Sequence, residues 1–203
     1  MAEPVIGGDL GSRSLVLAST SPYRRALLSR LGLPFRCRSP VCDEAALQVR
    51  LADPVVLAET LAREKAESVA RVEPGSVVIG GDQVVDCEGR ILGKPGTFER
   101  AVDQLSRLQG RAHRLVTAMA VWSEGRMIRH TDLTTLVMRP LTRAAIERYV
   151  TADQPLDCAG AYKLESRGIA LFERIETEDH TAVTGLPLVA LASILIRLGF
   201  ELP

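Results

Sequence analysis

The chain has 203 residues, 46% of them hydrophobic and 25% charged, with 25 Lys and Arg against 25 Asp and Glu. Such a composition buries a core and excludes intrinsic disorder, and the zero net charge leaves no overall field to draw the chain onto nucleic acid or an anionic membrane. The length suits one core with two lobes, a single domain from residue 15 to 203 behind a loose N-terminal tail at 1–14.

Residues 15–18 (LVLA) read as a short buried strand, and after Ser19-Thr20-Ser21-Pro22 the pattern predicts a helix over 23–31 that closes at Gly32. Ser21 suits the N-cap and Pro22 the first helical position, where its missing N–H costs nothing. A second helix is expected over 54–69, with Ala58, Leu61, Ala62, Ala66 and Val69 on one stripe that also carries Lys65. A strand at 76–79 leads to Gly80-Gly81-Asp82-Gln83, which reads as polar punctuation before a second apolar run at 84–86, a turn at Glu88-Gly89, and Ile91-Leu92-Gly93-Lys94-Pro95.

Further on, the pattern predicts a helix over 97–108, strands over 115–122 and 127–138 joined at Ser123-Glu124-Gly125, and a helix over 142–150 capped by Thr142. A strand at 169–172 and an apolar helix at 186–198, ended by Gly199, complete the pattern. Strands and helices alternate, with antiparallel hairpins among them. The expected class is therefore α/β, with a mixed twisted sheet flanked by helices.

No apolar stretch approaches the roughly 18 residues that a membrane span needs, and the first 14 residues lack the pattern of a signal peptide. A cytoplasmic protein is expected. Cys37, Cys42, Cys87 and Cys158 show no CxxC spacing, and with His113, His130 and His180 they assemble no zinc pattern, so the thiols are expected to be free.

The chemistry-bearing residues are basic groups and carboxylates. The strand, loop and helix from Leu17 to Arg25 bring hydroxyls, helix N–H groups and a guanidinium to one point, which suits an anion as well as it suits an ordinary helix cap with surface arginines. The first 41 residues hold six arginines against Glu3 and Asp9, a local basic bias. Lys65, on an apolar stripe, either snorkels past the core edge or points into a pocket. Lys94, between Gly93 and Pro95, is either a turn lysine or a ligand contact. Asp82 follows a strand and two glycines, where α/β sheets place ligands, and with Asp43-Glu44 it offers carboxylate oxygens to a hard divalent cation. No GxSxG, GxxxxGK[ST] or GxGxxG occurs, so acyl-transfer triads and P-loops are unsupported, and phosphate anhydride chemistry fits what remains.

In order along the chain, Leu17-Ala18-Ser19-Thr20-Ser21-Pro22-Tyr23-Arg24-Arg25, Ala62-Arg63-Glu64-Lys65-Ala66, Gly81-Asp82-Gln83-Val84, Gly93-Lys94-Pro95 and Cys158-Ala159-Gly160 resemble the Maf family of nucleotide pyrophosphatases. The resemblance implies a two-lobed α/β fold like that of inosine triphosphate pyrophosphatases, frequent homodimers, and cleavage of a nucleoside triphosphate between the α and β phosphates with Mg2+, Mn2+ or a similar cation. It implies Asp82 as proton acceptor, Ser19, Arg24, Lys65 and Lys94 as phosphate contacts, and Glu44 as an acid beside the metal with Asp82.

Three positions where branches of the family differ are here Tyr23, Gln83 and Glu165, and they resemble the 7-methyl-GTP branch rather than the dTTP/UTP branch, which carries Arg, Thr and Gln. A methylated guanine is cationic, and an aromatic face attracts it by roughly 0.5–2 kcal/mol, while Glu165 suits its donor edge. Tyr23 stands where that branch commonly has Trp. Two alternatives stay open at this stage: a dTTP/UTP or general non-standard nucleotide pyrophosphatase, and a nucleotide-binding regulator of cell division without turnover.

Overall fold

The computed structural model describes residues 13–202. Most of the expected tail, residues 1–12, lies outside the described residues. Strand β1 (Leu15–Ala18) and helix α1 (Pro22–Ser29) are followed by β2 (Phe35–Arg38), α2 (Glu44–Arg50), α3 (Pro54–Ala70), β3 (Val77–Cys87) and β4 (Arg90–Leu92). Helix α4 (Phe98–Leu108), the hairpin β5 (Ala112–Ser123) and β6 (Arg126–Met138), α5 (Arg143–Asp153), β7 (Phe172–Glu176) and α6 (Leu188–Arg197) complete the order.

One seven-stranded sheet runs β2-β1-β3-β5-β6-β7, with β4 paired to β3. β1 pairs in parallel with β2 and β3, while β3–β5, β5–β6 and β6–β7 are antiparallel, so the sheet is mixed as expected. Helix α3 packs Leu57, Leu61, Ala62 and Ala66 on one face, against Val16, Val78 and Val116. Helices α1 and α6 cover the other face through Leu27, Leu28, Leu191 and Leu195 against Leu17, Ile79 and Met119. Beyond the end of β3, α4 and α5 close a third apolar cluster around Leu105, Leu136 and Tyr162.

The capping predictions hold in detail. Ser21 Oγ accepts from Arg24 N ahead of Pro22, and Thr142 caps α5, as expected; the structure adds Asp53 and Thr97 as the caps of α3 and α4. The β5–β6 turn places Glu124 and Gly125 at positive φ, as a tight hairpin requires.

Several expectations are corrected. Gly80-Gly81-Asp82-Gln83 does not interrupt the sheet: β3 runs through it as one eleven-residue strand. Gly80 serves helix contact instead of a turn, since a Cβ there would lie 2.3 Å from Ala62 O and 2.6 Å from Ala66 N of α3. The strand expected at 169–172 is a 3-10 turn, Arg167–Leu171, and β7 begins only at Phe172. β2 and α2 were absent from the predicted pattern. β2 is an edge strand whose FRCR sequence is mostly exposed and so carries no apolar alternation.

Candidate active site

A cleft of about 390 Å3 opens along β3 and draws on α1, the start of α2, the β4 end and the segments 157–165 and 183–185. Of the residues singled out in the sequence, Ser19, Tyr23, Arg24, Glu44, Asp82, Gln83, Lys94 and Glu165 line it directly, whereas Asp43 is spent as the cap of α2, its Oδ1 accepting from Ala46 N. Lys65 reaches it from behind. Its side chain is only 8% exposed, and its Nζ lies 2.6 Å from Asp82 Oδ1 and 2.8 Å from Glu44 Oε1. The lysine on the apolar stripe therefore points into a pocket and does not snorkel.

Neighbouring residues of a strand face opposite sides of a sheet, and β3 uses both sides here. Asp82 turns toward α3 and Lys65. Gln83 turns the other way, toward the segment after β7, where its Nε2 donates to Ala182 O, Val183 O and Thr117 Oγ1. Arg24 lies over Gly81 and donates from Nε to Gly185 O at 2.9 Å, which pins the base of its guanidinium.

The hydroxyl of buried Ser19 accepts from Ser21 N at 3.1 Å and keeps its own hydrogen to donate. Together with the N-terminal turn of α1 and Arg24, it forms a donor-rich wall. Exposed Lys94 stands across the cleft on the segment after β4.

The electrostatics follow from burial. Burial raises the Asp82 carboxyl above its ordinary value, against the opposing pull of Lys65 and Arg24. Burial alone would push the Lys65 ammonium down, but the Asp82 and Glu44 carboxylates outweigh it and hold the lysine charged. Glu44, half-exposed, also loses something to burial, yet hydrogen bonding to Lys65 and the charges of Lys94 and Arg24 bring it below the usual range.

At the other end of the cleft, the Tyr23 hydroxyl lies 3.8 Å from Cys158 Sγ, and burial pushes its pKa up to about 12, so it stays neutral. All four cysteines are free thiols, as expected.

Among the described residues no cluster of three His, Cys, Asp or Glu stands ready to cage a metal. The donor set is two carboxylates, Glu44 and Asp82, already drawn around one cationic group. That set fits a hard ion such as Mg2+, which is commonly bound by one or two carboxylates plus substrate phosphates rather than by an all-protein cage.

Sequence reasoning missed two parts of the site. Thr117, fully buried on β5, and the carbonyls of the 182–185 segment orient Gln83 and Arg24. Neither carries a local motif; the buried threonine became visible only once β5 was paired with β3. Helix α2, which supplies Glu44, did leave a signal in Asp43, a good N-cap before the helix formers Glu44-Ala45-Ala46-Leu47.

Fold and site define an α/β protein with a cleft in which cations and carboxylates meet across the middle of a mixed sheet. A family model described as "Maf-like protein" matches residues 14–198, and the chain belongs to this family. Relatives named 7-methyl-GTP pyrophosphatase include one from Bdellovibrio bacteriovorus, 49% identical over 90% of this chain and 96% of its own length. Another from Bordetella pertussis is 50% identical over 92% and 93%, and one from Pseudomonas syringae is 45% identical over 94% and 99%. Among the described residues, no helix is long and apolar enough to cross a membrane.

Proposed function

We propose that the protein hydrolyses 7-methyl-GTP to 7-methyl-GMP and pyrophosphate with the help of a divalent cation. The observation that carries the reading is the Asp82–Lys65–Glu44 array, its aspartate and lysine buried, facing a wall of hydrogen-bond donors in one cleft. The relatives' shared name supports the substrate.

In this reading Ser19, Arg24 and Lys94 bind the triphosphate, and their charge is best used where it grows, on the departing pyrophosphate. Lys65 holds Asp82 and Glu44 in place and keeps their two negative charges from repelling each other. Asp82 orients a water for in-line attack at the α phosphorus and takes its proton; a carboxyl raised by burial is a stronger acceptor than an exposed one. Glu44 and Asp82 would hold the cation, which when bound neutralises phosphate charge and acidifies water. Tyr23 offers a π face to the cationic base, and exposed Glu165 offers acceptors to its donor edge.

The test is pyrophosphate release from 7-methyl-GTP, GTP, dTTP and UTP in parallel, with Mg2+ or Mn2+ and with a chelator. Release mainly from 7-methyl-GTP and abolished by the chelator is expected. Preference for dTTP or UTP would overturn the substrate reading, and no release at all would overturn the enzyme. The implied homodimer is checked by light scattering, and a cytoplasmic location by fractionation.

A further inference from the structure

The Gln83 carboxamide is held in one orientation by chemistry that cannot be reversed. Its Nε2 lies 3.0 Å from Ala182 O and 3.2 Å from Val183 O, two carbonyls that only accept, and 2.9 Å from Thr117 Oγ1. The Thr117 hydroxyl is itself committed, because it donates to Ala182 O at 3.0 Å and so has only a lone pair to offer Gln83. Turning the amide over would press its oxygen against three acceptors. The Gln83 oxygen takes part in no hydrogen bond among the described residues and is not among the buried unpartnered atoms, while the residue lines the cleft.

The segment that supplies these carbonyls is fixed in turn. Asp179 Oδ1 accepts from Thr181 N and Oγ1, and its Oδ2 accepts from Val189 N at the start of α6.

We infer that Thr117 is a positioning residue for substrate selection: it holds Gln83 with its nitrogen spent on the protein and its oxygen offered to the ligand, so the substrate edge read there is a hydrogen-bond donor. An ionised phosphate carries acceptors only and is excluded from that spot. The base or sugar end, with its ring N–H, exocyclic amine or hydroxyls, is selected. This inference rests on the nucleotide reading above, and it deepens that reading by stating what Gln83 measures.

The experiment compares wild type, Thr117→Val and Thr117→Ser for kcat and KM with 7-methyl-GTP, and for inhibition by inorganic tripolyphosphate, which has phosphates but no donor. Valine has the shape of threonine without the hydroxyl, so it removes one of the three acceptors that hold the amide nitrogen and loosens the placement of the Gln83 oxygen, while the Ala182 and Val183 carbonyls remain. It is expected to raise KM about tenfold, well beyond any change in kcat, as loss of one oriented hydrogen bond in a polar pocket does. Serine is expected to restore the wild-type KM, and tripolyphosphate inhibition is expected to stay the same in all three proteins.

An unchanged KM in the valine variant would overturn the inference. So would equal weakening of tripolyphosphate, or failure of serine to rescue, since either marks general damage to the fold. If the wild type prefers another nucleotide, only the 7-methyl-GTP reading falls, and the same criteria apply to the preferred nucleotide.

Discussion

Replacing Lys65 with Met keeps the length of the side chain and removes the cation between Asp82 and Glu44. Glu44 is half in water and loses little, but the Asp82 side chain is only 10% exposed and would be left with Arg24 alone. Removing one partner of a buried pair costs on the order of 3–5 kcal/mol. Asp82 has one escape, which is to bind a proton. Starting from an ordinary aspartate pKa of about 3.9, protonation at pH 7 caps the loss at about 4 kcal/mol, at roughly 1.4 kcal/mol per pH unit.

The sign is definite: the folded variant then holds a proton that the unfolded chain lacks, so its stability falls as pH rises from 5 to 7. A protonated Asp82 cannot serve as base, and kcat is expected to drop about 100-fold or more. Urea unfolding of wild type and Lys65→Met at pH 5 and pH 7, together with kcat for 7-methyl-GTP at pH 7, measures both. A deficit equal at the two pH values, or a kcat within threefold of wild type, would refute the argument.

Other consequences follow from the packing. Burial pushes the His113 imidazole down to about 4, while in the unfolded chain it titrates near 6.5, so the unfolded state binds the extra proton. Stability is expected to fall as pH drops from 6.5 toward 4, by up to about 3 kcal/mol, and His113→Phe is expected to flatten that part of the urea-midpoint profile. Gly80→Ala drives a methyl into the α3 backbone and is expected to cost about 2 kcal/mol or more by urea unfolding, whereas Gly93→Ala, which meets open space, is expected to be nearly neutral. Asp179→Ala leaves Thr181 N and Val189 N without their acceptor; a loss of about 1–3 kcal/mol is expected, and an unchanged melting curve would show that water replaces the carboxylate.

The elements that position the site were legible wherever capping and apolar periodicity coincide. Ser21-Pro22 and Thr142 marked helix starts that the structure keeps, and the helices read from apolar pattern over 54–69 and 97–108 prove to be capped by Asp53 and Thr97. The glycine pair misled because glycine marks both turns and close backbone approach; at Gly80 the second meaning applies, and only the position of α3 decides it. β2 escaped because an exposed edge strand has no buried face to impose a pattern.

Of the site residues, Lys65 was conspicuous as a cation on an apolar stripe, and its carboxylate partners turned that anomaly into an array. The bracing of Gln83 by Thr117 and the 182–183 carbonyls joins positions 34 and about 100 residues apart, which no local pattern encodes. Tyr23, Gln83 and Glu165 were separate letters in the sequence and share one cleft in the fold.

The central claim is that water activated at Asp82 attacks the α phosphorus. It is tested most directly by hydrolysing 7-methyl-GTP in 18O-labelled water with wild type and with Asp82→Asn, and reading the products by mass spectrometry. One 18O in 7-methyl-GMP, unlabelled pyrophosphate, and turnover at least about 100-fold slower in the folded Asn variant are expected. Label in the pyrophosphate, or near-normal turnover by Asp82→Asn, would contradict it.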